Sequence, residues 1–101
     1  MLKWLSSLFQ APDIEGYLSQ NAVILDVRSP GEFKSGHVRG SKNIPLNQIG
    51  QKVDTIKKWD KPVIACCRSG NRSGMAARRL QKAGVDVING GSWQNVNRFI
   101  R

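Results

Sequence analysis

The chain has 101 residues, 40% of them apolar, with ten glycines and four prolines. That fits one globular domain of the usual roughly 50–250 residues rather than a disordered tail. Sixteen basic against seven acidic residues give a net charge of +9, but they are spread along the chain and not interleaved with aromatics, so they describe a solvated basic surface and not a nucleic-acid site.

No internal repeat or low-complexity tract occurs, and no stretch reaches the ~20 apolar residues that span a bilayer. MLKWLSSLF (1–9) has one lysine, a short apolar stretch and no small-residue cleavage site, which separates it from a signal peptide. Leu2, Leu5, Leu8 and Phe9 recur at helical spacing and predict an amphipathic segment over 1–11, docked on the core of a soluble, cytoplasmic protein. PDIEGYLSQ (12–20) predicts a helix with Ile14, Tyr17 and Leu18 on one face and Pro12 in its first turn. AVILDV (22–27) is a β-branched run suited to a strand buried on both faces of a parallel sheet.

SPGEF (29–33) predicts a short helix opened by Ser29, Pro30 and Glu32. NI at 43–44, ended by Pro45, predicts a short strand, and helix follows between Leu46 and Ile56. PVIACC (62–67) is a second buried run, and VDVI (85–88) a third. Between them a helix is expected over 72–83, turning Ala76, Leu80 and Ala83 inward and closing at Gly84. Trp93 and Phe99 are expected to pack a last helix on the sheet, and Trp4 and Trp59 to lie at the surface or an edge.

Residues 63–88 thus form a βαβ unit with parallel strands and a right-handed crossover. The expected fold is α/β: a single three-layer domain over 1–101, with a small, mainly parallel sheet flanked by helices on both faces. Ligands of such sheets sit at the carboxyl ends of the strands, where the 67–72 loop falls. Successive N–H groups there, backed by the positive end of the helix, make an anion cradle. A cysteine opening the cradle has its thiolate stabilised by those N–H groups and by Arg68 and Arg72, which lowers its pKa and makes it nucleophilic near neutral pH. Gly70 supplies positive φ and lets the backbone approach a ligand.

The two cysteines are neighbours, and a disulfide between adjacent residues would strain the peptide. His37 is the only histidine, so no zinc-ligand spacing exists and no metal is expected. Counting from Cys67 gives C-x4-R ending at Arg72; counting from Cys66 gives C-x5-R followed by Ser73, the spacing of cysteine-based phosphatases. Spacing alone leaves both registers open. Cys66 sits one residue back in a buried run and faces the other way, so packing as a small hydrophobe competes with a redox pairing with Cys67.

The stretch CRSGNRSGMAARRLQKAG (67–84), preceded by LDVRSPGEFKSGHVRGSKNIPL (25–46) and followed by VINGGSW (87–93), resembles the single-domain rhodaneses over about residues 12–100. These are the thiosulfate:cyanide sulfurtransferases. The family loop, C-x-x-G-x-R-[ST], falls on Cys67, Gly70, Arg72 and Ser73, so the resemblance selects the Cys67 register. It implies a rhodanese-like fold and an enzyme that needs neither metal nor organic cofactor. Cys67 would take the outer sulfur of thiosulfate, or of a persulfide or polysulfide, as a persulfide and pass it to cyanide or a thiol. The implied substrate-binding residues are Arg68, Ser69, Gly70, Asn71, Arg72 and Ser73. The implied partners are a small anionic sulfur donor, a thiol or cyanide acceptor and a sulfur-accepting protein.

Asp26 and Arg28, at a strand's carboxyl end, are read as an ion pair bracing this loop. His37 has the chemistry of a general base, but a persulfide cycle needs none and the resemblance makes its segment structural. Two rivals stand beside the sulfurtransferase: a phosphatase or arsenate reductase on the same cradle, and a non-catalytic or carrier module that docks a protein partner.

Overall fold

The computed structural model describes residues 11–101, so the amphipathic segment expected from Leu2, Leu5, Leu8 and Phe9, and with it Trp4, lies outside the described residues. Four parallel strands, β1 (Val23–Asp26), β2 (Lys42–Asn43), β3 (Val63–Cys67) and β4 (Val87–Ser92), pair in the order β2-β1-β3-β4. The helices are α1 (Ile14–Ser19), α2 (Pro30–Ser35), α3 (Ile49–Lys58) entered through a 3-10 turn at Leu46–Gln48, α4 (Asn71–Lys82) and α5 (Trp93–Asn97).

Strand alternation divides the core into two layers. On one face Leu25, Val63, Ala65, Cys67 and Val87 meet Ile49 and Ile56 of α3 and Ala76, Ala77 and Leu80 of α4. On the other, Ile24, Ile64 and Cys66 meet Ile14 of α1, Val38 and Val96 of α5. All five residues of β3 are buried, as a strand covered by helices on both sides requires. Each fully buried Leu or Ile side chain contributes roughly 1.5–3 kcal/mol relative to exposure, and the two layers together hold the expected three-layer α/β architecture.

Local signals set the helix ends. Ser29 accepts from the Glu32 N–H while the Glu32 carboxylate accepts from the Ser29 N–H, closing a capping box over Pro30 at the start of α2. At the end of α4, Gly84 (φ 93°) donates to Gln81 O and Val85 donates to Leu80 O, both at 3.0 Å. This is a Schellman motif, and Val85 and Leu80 both join the same core layer.

Four expectations need correction. Pro12 precedes Asp13, the residue that caps α1 by accepting from Gly16 N–H, and so lies outside the helix. Helix α4 begins at Asn71, and Ala83 is its half-buried C-cap while Ser73 and Ala77 take the buried positions. The strand expected at 85–88 runs instead over Val87–Ser92, because Val85 is used to close α4 and the glycines that follow extend the pairing with β3. Phe99 is 36% exposed, and Ile100 takes its place against the sheet. Trp59 packs partly buried at the edge of the α3 layer, with Lys42 over its ring.

From β1 the chain crosses to β2 on one side and then to β3 on the other, which makes the gap between the carboxyl ends of β1 and β3 the switch point of the sheet. A ligand cleft is expected there. Among the described residues no helix is long and apolar enough to cross a membrane.

Candidate active site

The loop leaving β3 curls around one sulfur atom. Cys67 is 1% exposed as a residue, and its Sγ accepts from Gly70 N–H at 3.0 Å, from Ser73 N–H at 3.4 Å and from the Ser73 hydroxyl at 3.3 Å. Gly70 makes the curl possible: its φ of 107° is a conformation a side chain resists. The first turn of α4 follows at once, so its free N–H groups point at the sulfur.

Burial pushes the Cys67 thiol up, but the Ser73 hydroxyl and the N–H groups of Ser73, Gly70 and Ser69 outweigh it and bring the pKa below the ordinary thiol value. The expected loop N–H groups are thus at work, joined by the Ser73 hydroxyl, while Arg72 interacts with Cys67 by charge alone and gives its hydrogen bonds to Glu32. Cys66 is the opposite case. It is fully buried in the other core layer, and burial, with the Asp26 charge next, pushes its thiol up to about 12. Adjacent residues of one strand thus hold one thiol poised to ionise and one inert, because successive side chains face opposite sides of a sheet.

The remaining candidates divide between the loop and its supports. Arg68, Ser69 and Asn71 are exposed on the rim. Arg72 turns to Glu32, giving a two-pronged pair with Nη1 at 2.7 Å and Nη2 at 3.0 Å from the carboxylate oxygens. This pair holds the Glu32 carboxyl down to about 2, with the Ser29 N–H assisting. It ties the start of α4 to α2, so the residue that caps α2 also anchors the cradle.

Behind them Asp26 and Arg28 form a buried ion pair at 2.7 Å. Arg28 also donates to Gly36 O at 2.7 Å and lies over the Trp93 ring at 5.1 Å, which fastens the chain between β1 and β2. His37 is stacked on Phe33 with ring centroids 3.7 Å apart, and its Nδ1 contacts Phe33 O at 2.7 Å.

Two residues of the site do not stand out in the sequence. Glu32 reads there only as a helix opener. Asn89 falls one residue past the expected strand at 85–88, although a polar side chain directly after an apolar run and just before two glycines is a usable signal. Its amide donates to Gly70 O at 2.9 Å and accepts from the Ser73 hydroxyl at 2.7 Å. The pairing explains how it gets there: Ala65 faces Asn89 but Cys67 faces Ser92, so β4 carries one extra residue at Gly90–Gly91. Such a bulge re-aims a side chain beside a site. Gly90 fits because Val96 and Ile64 already occupy the space of a Cβ.

Beside Arg72 a cavity of about 330 Å³, lined by Val27, Ser29, Pro45, Leu46 and Asn47, opens at the carboxyl end of β1. A hollow of about 440 Å³ lies at the other end of the sheet, among Pro62, Val85 and Asp86, and is lined by neither cysteine. Among the described residues no group of three His, Cys, Asp or Glu side chains is placed to hold a metal ion.

Residues 2–96 match the family of the rhodanese-like domain. The chain belongs to that family. It is 46% identical over 69 residues to the uncharacterized protein YqhL of Bacillus subtilis, an alignment covering 68% of this chain and 54% of that protein. It is 35% identical over 70 residues to the thiosulfate sulfurtransferase GlpE of Ectopseudomonas mendocina, covering 69% of this chain and 63% of that one. The chain therefore spans less than two thirds of either relative. Among solved structures, a rhodanese with anions from E. coli superposes with a TM-score of 0.67 at 30% identity, over 73% of this chain and 89% of that one. The parallel sheet with its loop at the end of β3 is thus the rhodanese fold.

Proposed function

We propose that residues 1–101 form one domain that moves a sulfane sulfur through a persulfide on Cys67, from thiosulfate or a persulfide or polysulfide donor to cyanide or a thiol. The observation that carries this reading is the set of donors around Cys67 Sγ at 3.0–3.4 Å. They stabilise negative charge on sulfur in the way preorganised donors stabilise an oxyanion.

With thiosulfate, the Cys67 thiolate attacks the outer sulfur. A new S–S bond forms, the old one breaks, and sulfite leaves with the electron pair. The persulfide keeps one negative charge on its outer sulfur, within reach of the cradle N–H groups. Cyanide then attacks that sulfur, thiocyanate departs, and the Cys67 thiolate is restored; no proton, electron or cofactor is consumed.

Arg68, Ser69 and Asn71 on the rim meet the donor's anionic end, Gly70 and Ser73 bind through their N–H groups, and Arg72 positions the loop while leaving its exposed edge to the ligand. The cavity beside Arg72 accommodates the carbon skeleton of a larger donor or acceptor. A reducing compartment such as the cytoplasm suits a thiol that must stay free between turnovers. A carrier that hands its sulfur to one protein uses the same persulfide and differs only in the acceptor.

Thiocyanate formation from thiosulfate and cyanide tests the proposal in the wild type, Cys66→Ser and Cys67→Ser, each first shown to be folded. Activity that survives the first substitution and vanishes with the second supports it. A folded wild type that forms no thiocyanate and gains no sulfur mass on Cys67 from any donor, or that hydrolyses an aryl phosphate instead, overturns it.

A further inference from the structure

Ser73 Oγ lies 2.7 Å from Asn89 Oδ1 and 3.3 Å from Cys67 Sγ, yet a serine hydroxyl has one proton. The amide of Asn89 is oriented independently of Ser73: its Nδ2 donates to Gly70 O at 2.9 Å, and its Oδ1 accepts from Gly91 N–H at 3.0 Å. The atom facing Ser73 is therefore an acceptor. The hydroxyl points either at Asn89 or at the sulfur, never at both.

We propose that the Ser73 hydroxyl is a two-position donor and that Asn89 holds its second position, which makes Asn89 a positioning residue for the sulfur carried on Cys67. When Cys67 is a thiolate, the hydroxyl turns to Sγ. When Sγ is protonated, or bonded to a second sulfur that takes the charge outward, it no longer attracts a donor. Ser73 is 0% exposed, so a hydroxyl released there with no alternative acceptor would be a buried unpaired donor, a costly state. Asn89 supplies the alternative, and each change of charge on Sγ is met by rotation of one O–H bond. The purpose of the device rests on the sulfur-transfer reading; its geometry does not.

The test separates competition for the hydroxyl from simple bracing of the loop. Titratable groups that interact electrostatically with Cys67 include Arg72 of α4, which Glu32 of α2 pairs, and the Cys66 thiol behind it on β3; Arg68, the next residue in the chain, is exposed. Asp26 and Arg28, at the end of β1, pair with each other, and the side chain that faces the loop from β4, Asn89, is uncharged. In a Cys66→Ala background, the pH dependence of Cys67 alkylation by iodoacetamide is measured for four proteins: parent, Ser73→Ala, Asn89→Ala and the double variant.

Ser73→Ala is expected to raise the midpoint, because a donor to the thiolate is lost. Asn89→Ala is expected to lower it by about half to one pH unit, because a competitor for that donor is lost. Once Ser73 is alanine, Asn89→Ala has no further effect. A rise with Asn89→Ala, or the same displacement in both backgrounds, means that Asn89 acts only by shaping the loop and overturns the proposal. Asn89→Leu, closer in volume, repeats the measurement; loss of the native fold in both Asn89 variants assigns a purely structural role and overturns it equally. Alkylation needs no sulfur donor, so a wild type that forms no thiocyanate defeats the proposed function while leaving this coupling measured on its own terms.

Discussion

Asp26→Ala would leave a buried guanidinium without its counter-charge. Arg28 is 5% exposed and Asp26 0%; the carboxylate accepts from Arg28 Nε at 3.0 Å, from Nη2 at 2.7 Å and from the Arg28 N–H at 3.0 Å. In the variant, Arg28 keeps only the carbonyls of Glu32 and Gly36, at 3.3 and 2.7 Å, and the face of Trp93. Breaking one side of a buried ion pair costs about 3–5 kcal/mol. The surviving carbonyls place this site toward the lower half of that range, at about 3–4 kcal/mol. A domain of this length unfolds with an entropy of about 0.2 kcal/mol/K, which converts the loss into a fall in Tm of roughly 15–20 °C.

The assay is urea and thermal unfolding of the wild type, Asp26→Ala and the double variant Asp26→Leu with Arg28→Met. Because the penalty lies in the stranded charge, the double variant should recover much of the loss, as apolar replacements of buried pairs do. An Asp26→Ala cost under about 1 kcal/mol, or a double variant no better than the single one, would refute the reasoning.

Two smaller expectations concern the supports of the cradle. Gly90→Ala places a Cβ 2.6 Å from Val96 Cγ2 and 2.8 Å from Ile64 Cγ2, so it should cost about 1–3 kcal/mol through overpacking; an unchanged thermal midpoint would show that α5 yields without strain. Glu32 titrates at about 2 in the folded protein, below its ordinary 4.5, so its pairing with Arg72 stabilises fully above pH 4.5 and is lost as pH falls toward 2. With side chains 35% and 32% exposed, the pair contributes no more than about 1 kcal/mol. Glu32→Gln, which keeps the capping box, should therefore lower the urea midpoint at pH 5 and approach the wild type at pH 2.5, whereas a gap independent of pH would rule out the ion pair as its source.

Local chemistry made much of the fold legible. The unbroken apolar runs at 22–27 and 62–67, the Ser29–Glu32 capping box and the glycine after α4 depend on neighbours a few residues away, and each marks its element to within a residue or two. Strand alternation put the two cysteines on opposite faces before any fold was known. The resemblance of the loop and its flanking motifs to the rhodaneses added the family, which the match over residues 2–96 shows.

What the chain alone could not reveal are contacts between residues far apart in sequence. Whether Arg72 meets a ligand or braces the loop is open in the sequence, and its partner is illegible there, because α2 brings Glu32 against it from 40 positions away. The expected strand stops at 88, short of the glycines at 90–91; in the structure pairing with β3 resumes at Ser92 beyond them, and the bulge between aims Asn89 at Ser73. The acidity of a thiol is set within a few ångströms by donors whose positions depend on the whole packed sheet. Local sequence therefore shows a pair of cysteines at the end of a buried strand, facing opposite ways, while the donors that set one thiol apart from the other are decided by tertiary structure, because they come from a loop, a helix start and a neighbouring strand.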